Sequence, residues 1–288
     1  MLKNDFLQYL EYEKRYSSHT IVSYNTDLTQ FHKFLKSEFD IEDTSEVTHH
    51  IIRNWISVLL ESGLTSRTVN RKITTLKSYF KYLLQEDVLS ENPTRKIISP
   101  KSSKKLPVFI EKSKMDQLLN EIEFPNSFDG ERDKLIIDLF YMTGMRLSEL
   151  ISVSFLDIDF INSTVKVLGK RNKERIIPLS ISLLNQLENF FKKHKLKSYF
   201  FVNLEGKKLT SKKVYTIVNY YLGKVSSVEK KSPHILRHTF ATHMLNNGAD
   251  INAIKEILGH ANLSATQVYT HNTIERLKNI YKQAHPRA

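Results

Sequence analysis

Apolar side chains recur every three or four positions in several stretches of the first hundred residues, as on one buried face of a helix. The clearest stretch covers residues 17–36, where Ser17 or Ser18 can cap a helix. The same period predicts helices over residues 49–61 and 66–85, and a short opening helix over 4–14. The first part of the chain is therefore predicted to be a small all-α unit.

The pattern changes after Asn92 and Pro93, which end this unit. Residues 99–107 are polar and basic, with two prolines and no apolar period, which is typical of an exposed linker. The same lysines also suit a segment that lies along a phosphate backbone. Further on, the pattern predicts two short strands that form a hairpin, and a series of helices. The strands are 165–168 and 175–179, and the helices are 113–122, 131–142, 181–194, 211–225, 234–246, 250–258 and 273–284.

These patterns predict a mainly α fold with two domains, which a chain of 288 residues is long enough to form. The first is a helical N-terminal domain over residues 1–98, and a linker covers residues 99–108. The second is an α-rich domain over residues 109–288 that contains a small antiparallel β-sheet.

The sequence lacks the features of several classes of protein and of several kinds of site. No stretch approaches the ~20 apolar residues that a membrane span needs. The N-terminus lacks a basic start followed by an apolar run, so no signal peptide is expected. The absence of cysteine excludes disulfides, thiolate metal sites and a cysteine nucleophile. We expect a cytoplasmic protein without a membrane partner.

The formal net charge is +12, which favours a polyanionic partner over a neutral one. A solvated lysine-rich surface is the alternative. Residues 1–100 hold 13 basic and 13 acidic side chains, so the whole surplus lies in residues 101–288. The predicted helix over residues 66–85 is nevertheless basic, because no acid occurs from Thr65 to Lys81. Its cations in that span are Arg67, Arg71, Lys72, Lys77 and Lys81.

Two motifs in the second domain contain arginines that suit phosphate binding. Arg146 follows Gly144, a residue that can end a helix, and an arginine at such a turn can direct its planar donors at a phosphate. A surface pair between Arg146 and Glu149 is the alternative. His234, Arg237 and His238 share one face at the start of a helix, where the positive helix end favours an anion.

Histidines four residues apart can also share a zinc ion, but Arg237 between them argues against a cation. No third ligand is close in sequence, and His238 can also have a purely structural role. We therefore expect no metal or other cofactor.

A third motif contains His260 and, nine residues later, Tyr269. The chain has 13 tyrosines, and a free phenol needs activation before it acts as a nucleophile. Arginines and histidines would supply that activation. Lys170 lies in the turn of the predicted hairpin, from which it could reach across a cleft. An exposed basic turn is the alternative for Lys170.

Taken together, these residues resemble the tyrosine recombinase family, in particular the bacterial Xer-type recombinases. The resemblance covers essentially the whole chain and follows the family order of Arg, Lys, His-x-x-Arg, His and Tyr. The segments that carry it are TGMRLSEL, VLGKRNKERIIPL, SPHILRHTFATHML, LGHANLSATQVYTH and the ending HPRA. One departure is Arg171, which stands where glycine is common in the family hairpin turn.

The resemblance implies a role for each residue. Tyr269 would attack a phosphodiester and form a 3′-phosphotyrosine, while Arg146 and Arg237 bind the non-bridging oxygens. His260 would donate to the same phosphate, Lys170 would protonate the leaving 5′-oxygen, and His234 would assist proton transfer at the tyrosine. Glu149 and His238 would orient these groups. The reaction exchanges one phosphodiester for another, so neither ATP nor a metal is required.

The resemblance also implies partners. The two domains would enclose a duplex DNA recombination site, with the basic residues of helix 66–85 in contact with it, and four subunits would assemble on paired sites. A second related recombinase and an FtsK-type translocase are further family partners. The last helix would dock on a neighbouring subunit, or alternatively on its own domain. The expected function is chromosome dimer resolution, with a mobile-element integrase, a type IB topoisomerase and an inactive DNA-binding protein as alternatives.

Overall fold

The computed structural model describes residues 2–102, 108–169, 173–228, 231–259 and 271–288, with side chains from residue 274 onward in the last range. The chain divides into two compact units, Met1–Lys105 and Leu106–Ala288. Both units are mainly helical, and the second contains a three-stranded antiparallel sheet, so the predicted fold class is confirmed. Within the described residues, no helix is both long and apolar enough to cross a membrane.

The described residues of the first unit form four α-helices, and serine or threonine side chains cap the start of three of them. Ser17, Thr48 and Thr65 each accept a hydrogen bond from a backbone N–H in the first turn of the helix that follows. The opening helix continues as a π-helical turn over Tyr9–Glu13. The helices are α1 (Leu2–Gln8), α2 (Ser18–Phe39), α3 (His49–Glu61) and α4 (Ser66–Gln85).

A buried carboxylate joins α2 to α4 inside the first unit. Asp27 is fully buried, and it accepts hydrogen bonds from Lys72, Thr75 and Arg71. Lys72 is only 3% exposed, and its ammonium lies 2.9 Å from Asp27 Oδ1. The prediction that Lys72 contacts DNA is therefore wrong, because its charge faces the interior and is already paired there. Arg67, Arg71, Lys77 and Lys81 are exposed on α4.

In the part of the second unit that the structure describes, eight α-helices and one sheet pack around an apolar core. The helices described are α5 (Lys112–Asn120), α6 (Phe128–Thr143), α7 (Leu147–Ser152), α8 (Ile181–Lys193), α9 (Ser211–Val225), α10 (Pro233–Asn246), α11 (Ile251–Leu258) and α12 (His271–Ala284). The strands are β1 (Ile158–Asp159), β2 (Thr164–Leu168) and β3 (Glu174–Pro178). β2 pairs with both others, and Val167 stands opposite Arg175.

The last helix, α12, packs on its own unit in this structure. Leu277, Tyr281 and Ala284 are each at most 3% exposed and belong to the core of the second unit. The sequence leaves open whether this helix docks on a neighbouring subunit or on its own domain, and in the isolated chain it packs on its own unit.

A glycine turn between α6 and α7 determines where the first candidate arginine lies. Gly144 ends α6 with φ of 59°, a left-handed conformation that side chains disfavour. A Cβ at this position would lie 2.5 Å from the Phe240 ring, so there is also no room for one. The chain can therefore reverse tightly here and begin α7 directly after Arg146.

Candidate active site

Arg146 and Glu149 are joined in a capping arrangement at the start of α7. The Arg146 backbone N–H donates to Glu149 Oε2 at 2.6 Å, and its guanidinium donates to Oε1 at 2.7 Å. A second guanidinium nitrogen donates to the Gly259 carbonyl at 2.8 Å. Glu149 is buried, whereas the Arg146 side chain is 31% exposed. Part of the guanidinium is therefore left facing solvent, where a ligand can reach it.

Arg175 on β3 binds the same carboxylate, and sequence reasoning missed it. Its terminal nitrogens donate to the two oxygens of Glu149 at 2.6 and 2.8 Å. Its Nε donates to the Ile257 carbonyl at 2.8 Å, so β3 is tied to α7 and α11. The available signal was strand alternation, because Arg175 shares a sheet face with the buried Ile177 and so requires a buried acceptor.

Arg237 on α10 donates to two backbone carbonyls, one directly after α6 and one at the end of α11. One nitrogen donates to Gly144 and another to Leu258, each at 2.7 Å. Because the side chain is buried and near two other guanidinium groups, Arg146 and Arg175, its pKa falls to about 9. At neutral pH the group remains a cation whose charge is poorly compensated.

Glu149 provides the negative charge among these three arginines. Burial alone would raise its pKa, but hydrogen bonds and charge from Arg175, followed by those from Arg146, hold the pKa at about 2. The carboxylate is thus ionised at every physiological pH. Three guanidinium groups against one carboxylate leave an excess of positive charge, which suits a bound anion such as a phosphate.

The two histidines of α10 lie together in its first turns. The rings of His234 and His238 are 5.0 Å apart between centroids. Burial, followed by the charges of His238 and Arg237, lowers the pKa of His234. The residue still reaches solvent, and the lowered pKa favours the neutral ring, which can accept a proton. Among the described residues, no three or more His, Asp or Glu side chains are grouped so as to hold a metal ion.

Lys170, His260 and Tyr269 lie outside the described residues, but the residues directly before the first two are described. A Cβ on Gly169 would lie 3.4 Å from a guanidinium nitrogen of Arg146 and equally far from one of Arg175. Gly259, directly before His260, accepts from Arg146. The chain therefore reaches the arginine cluster immediately before Lys170 and again immediately before His260.

Comparison with known families matches almost the whole chain. The phage integrase family matches residues 108–276. The SAM-like N-terminal domain of phage integrases matches residues 4–87.

Curated relatives cover the chain from end to end. A tyrosine recombinase XerC of Staphylococcus saprophyticus is 39% identical over 292 residues, covering 100% of this chain and 98% of its own. The tyrosine recombinase XerC of Bacillus subtilis is 37% identical, covering 98% of this chain and 95% of its own.

Solved structures share the fold. A pre-cleavage complex of the site-specific recombinase XerH bound to a difH substrate has a TM-score of 0.70 and 25% identity, covering 90% of this chain and 78% of that one. The post-cleavage XerH complex has a TM-score of 0.72 at 22% identity, covering 92% of this chain and 76% of that one.

Proposed function

The chain belongs to the phage integrase family of tyrosine recombinases, and we propose that it cuts and rejoins duplex DNA through a covalent 3′-phosphotyrosine at Tyr269. The observation that carries this proposal is the cluster of Arg146, Arg175 and Arg237 around one buried carboxylate. The backbone segments that lead into Lys170 and His260 end at this cluster. Its excess positive charge suits a single phosphodiester.

In the proposed reaction, the phenol oxygen of Tyr269 attacks the scissile phosphorus while the bond from phosphorus to the 5′-oxygen breaks. Arg146 and Arg237 bind the two non-bridging oxygens, on which negative charge grows in the transition state. Donors already oriented towards such charge are worth roughly 3–4 kcal/mol each. Backbone carbonyls and Glu149 hold both guanidinium groups in place before DNA arrives, so little reorganisation is needed.

Protons move at the two oxygens that change partners. His234 takes the tyrosine proton, for which its neutral ring is suited. Lys170 gives a proton to the leaving 5′-oxygen, and His260 donates a hydrogen bond to the phosphate. His238 packs against His234 and orients it. Rejoining reverses these steps, with the 5′-hydroxyl of another strand as the nucleophile.

The first unit supplies a DNA-contacting surface on α4. Arg67, Arg71, Lys77 and Lys81 are exposed there, although the Arg71 guanidinium also donates to the buried Asp27. Their charges suit phosphate contacts, which position the protein without reading the sequence. Lys72 is excluded because it is buried. As proposed limits, the DNA-binding domain spans residues 1–98 and the catalytic domain residues 109–288, joined by a linker over 99–108.

The proposed biological role is chromosome dimer resolution in the cytoplasm. Its support is the 35–39% identity over nearly the whole chain to proteins named tyrosine recombinase XerC. Four subunits would act on two paired sites, with a second related recombinase and an FtsK-type translocase as further partners.

A trapping experiment tests the chemistry. Duplexes that carry candidate recombination sites are nicked close to the expected cleavage point, so that the short 5′-hydroxyl fragment is lost after cleavage. Wild-type protein is expected to form an adduct that survives denaturation, and Tyr269→Phe is expected to bind the DNA without forming it. An adduct of equal yield with Tyr269→Phe would reject the proposed nucleophile.

A further inference from the structure

The β2–β3 hairpin extends from the sheet towards the arginine cluster. Its strands pair from Thr164 with Pro178 to Leu168 with Glu174, and the Gly169 N–H donates to the Lys173 carbonyl at 2.7 Å. Residues 170–172 lie between these two positions and outside the described part of the chain. The strand pairing therefore fixes the positions of Gly169 and Lys173, the two residues to which residues 170–172 are attached.

Arg175 attaches that base to the rest of the site. Its side chain is 4% exposed and donates three hydrogen bonds, two to Glu149 on α7 and one to the Ile257 carbonyl on α11. The Val167 position opposite it on β2 is two residues before Gly169. The guanidinium also lies against Gly259, where a Cβ would be 2.8 Å from Arg175 Cδ. One side chain thus joins the hairpin to the helices that flank Arg146 and His260.

The geometry of this attachment requires arginine. A planar guanidinium can bind both carboxylate oxygens and, through Nε, a third acceptor at a fixed angle. A lysine at the same position would keep the positive charge but present a single nitrogen, so it could satisfy Glu149 or the Ile257 carbonyl but not hold both in one geometry. Arg175→Lys therefore keeps the positive charge at this position but removes the set of contacts that holds the hairpin.

We propose that Arg175 is a positioning residue that holds the β2–β3 hairpin so that Lys170 delivers its proton to the leaving 5′-oxygen. This inference rests on the proposed function, in which the bond between phosphorus and the 5′-oxygen breaks as the phosphotyrosine forms. Arg175 transfers no proton and touches no substrate. When its contacts are loosened, Lys170 is displaced and the 5′-oxygen must leave without its proton, which slows cleavage.

A substrate with sulfur in place of the leaving 5′-oxygen tests this directly. A thiolate is a far better leaving group than an alkoxide, because a thiol has a pKa near 8.5, so cleavage then needs no proton from Lys170. With the ordinary oxygen substrate, we expect Arg175→Lys to cleave about 100-fold more slowly than wild type, the size of effect that a small misplacement produces. With the sulfur substrate, we expect its rate to return to within a few-fold of wild type.

Two control variants show how much of the cleavage rate the sulfur substrate can restore. Lys170→Ala removes the proton donor and should be rescued by sulfur as fully as Arg175→Lys. Arg237→Lys weakens phosphate binding and should stay slow on both substrates. DNA affinity and thermal stability are measured for all variants, and Arg175→Lys should bind DNA as wild type does.

The outcomes separate this inference from the proposed function. An Arg175→Lys protein that is equally slow on both substrates, or as fast as wild type on oxygen, would overturn the role in positioning Lys170. Such a result leaves the proposed function intact as long as wild type forms its adduct. No wild-type adduct with either substrate would reject the proposed function itself.

A second variant covers the case in which Arg175→Lys does not fold. Gly169→Ala leaves the buried charge in place but puts a methyl group 3.4 Å from the guanidinium nitrogens of Arg175 and Arg146, and 3.2 Å from the Lys173 carbonyl. It should displace the hairpin base slightly and lower the rate on oxygen, with recovery on sulfur. A loss of equal size on both substrates would contradict the inference.

Discussion

The guanidinium of Arg175 binds both carboxylate oxygens of Glu149, at 2.6 and 2.8 Å, inside the second unit. Because the same carboxylate receives the backbone N–H and guanidinium of Arg146, one buried anion organises two cations. This pair joins the sheet to the turn that follows α6. The buried pair therefore ties β3 to α7, two elements that are distant in the sequence.

Removing Glu149 should destabilise the protein strongly. Glu149→Ala leaves Arg175, which is 4% exposed, as a buried charge without its counterion. Breaking a buried pair from one side typically costs about 3–5 kcal/mol in the free energy of unfolding. Urea denaturation measures this loss. Glu174→Ala is the matched control, because its carboxylate is 61% exposed and 3.6 Å from Lys166, and it should change stability little. Equal losses in the two variants would contradict the assigned pairing.

The contribution of Glu149 to stability should disappear in acid. Its pKa is about 2 in the folded protein, below the ordinary value of 4.5, so the stabilisation is complete above pH 4.5. It is lost as the pH falls towards 2, because the unfolded chain takes up the proton first. The difference in unfolding free energy between wild type and Glu149→Gln should therefore shrink over this range. A difference that stays constant with pH would show that the carboxylate is not held ionised by its neighbours.

Arg237→Ala should impair cleavage far more than DNA binding. In the proposed mechanism this guanidinium binds a non-bridging oxygen on which negative charge grows, so its removal should slow cleavage by about 3–4 kcal/mol in activation free energy. Single-turnover cleavage and a separate binding measurement distinguish the two effects. Lys192→Ala, an exposed residue paired with Glu188 on α8, serves as the control and should cleave at the wild-type rate. A parallel loss of affinity and rate in Arg237→Ala would contradict a transition-state role.

Cleavage should decline in mild acid because of His234. Its pKa is lowered from 6.5 by burial and by the neighbouring His238 and Arg237, so the neutral form, which is the proposed acceptor of the tyrosine proton, persists below pH 6.5. At lower pH the ring is protonated and the rate should fall. His234→Gln should be slower at neutral pH and should lack this acid decline. If the variant retains the decline, another group controls it.

The exposed cations of α4 should contribute to the salt dependence of DNA binding. Lys77→Ala and Lys81→Ala should each lower the slope of log affinity against log salt by about one, because each removes a phosphate contact. Lys72→Ala is the informative comparison on the same helix. Because its ammonium is bound to Asp27, it should destabilise the first unit and leave the slope unchanged. A reduced slope in Lys72→Ala alone would reverse this assignment.

Helices with strong local signals were predicted closely from the sequence. The bounds predicted for α3 and α4 agree with the structure, because an apolar period and a threonine cap define each start. α6 begins at Phe128, three residues before the predicted start, because Ser127 caps it ahead of the apolar period. The six-residue α7 and the two-residue β1 were not predicted, since elements this short are fixed by tertiary contacts rather than by a local period.

In the candidate site, too, residues in local motifs were predicted, whereas residues whose partners are distant in the sequence were not. Arg146, Glu149, His234, Arg237 and His238 stood out by motif and spacing, and the structure brings Arg146, Glu149 and Arg237 into one cluster. Arg175 was missed because its role depends on Glu149, 26 residues away in sequence. Lys72 was misassigned for the same reason, because its partner Asp27 lies on another helix and is invisible to a local reading.

Identifying the residue that becomes bonded to DNA tests the proposed phosphotyrosine mechanism. The trapped adduct would be digested with protease and nuclease, and the peptide that retains a nucleotide would be sequenced by mass spectrometry. We expect a nucleotide 3′-phosphate on Tyr269 alone among the 13 tyrosines of the chain, with no adduct in Tyr269→Phe. A nucleotide on another tyrosine, or on a serine, would show that Tyr269 is not the nucleophile.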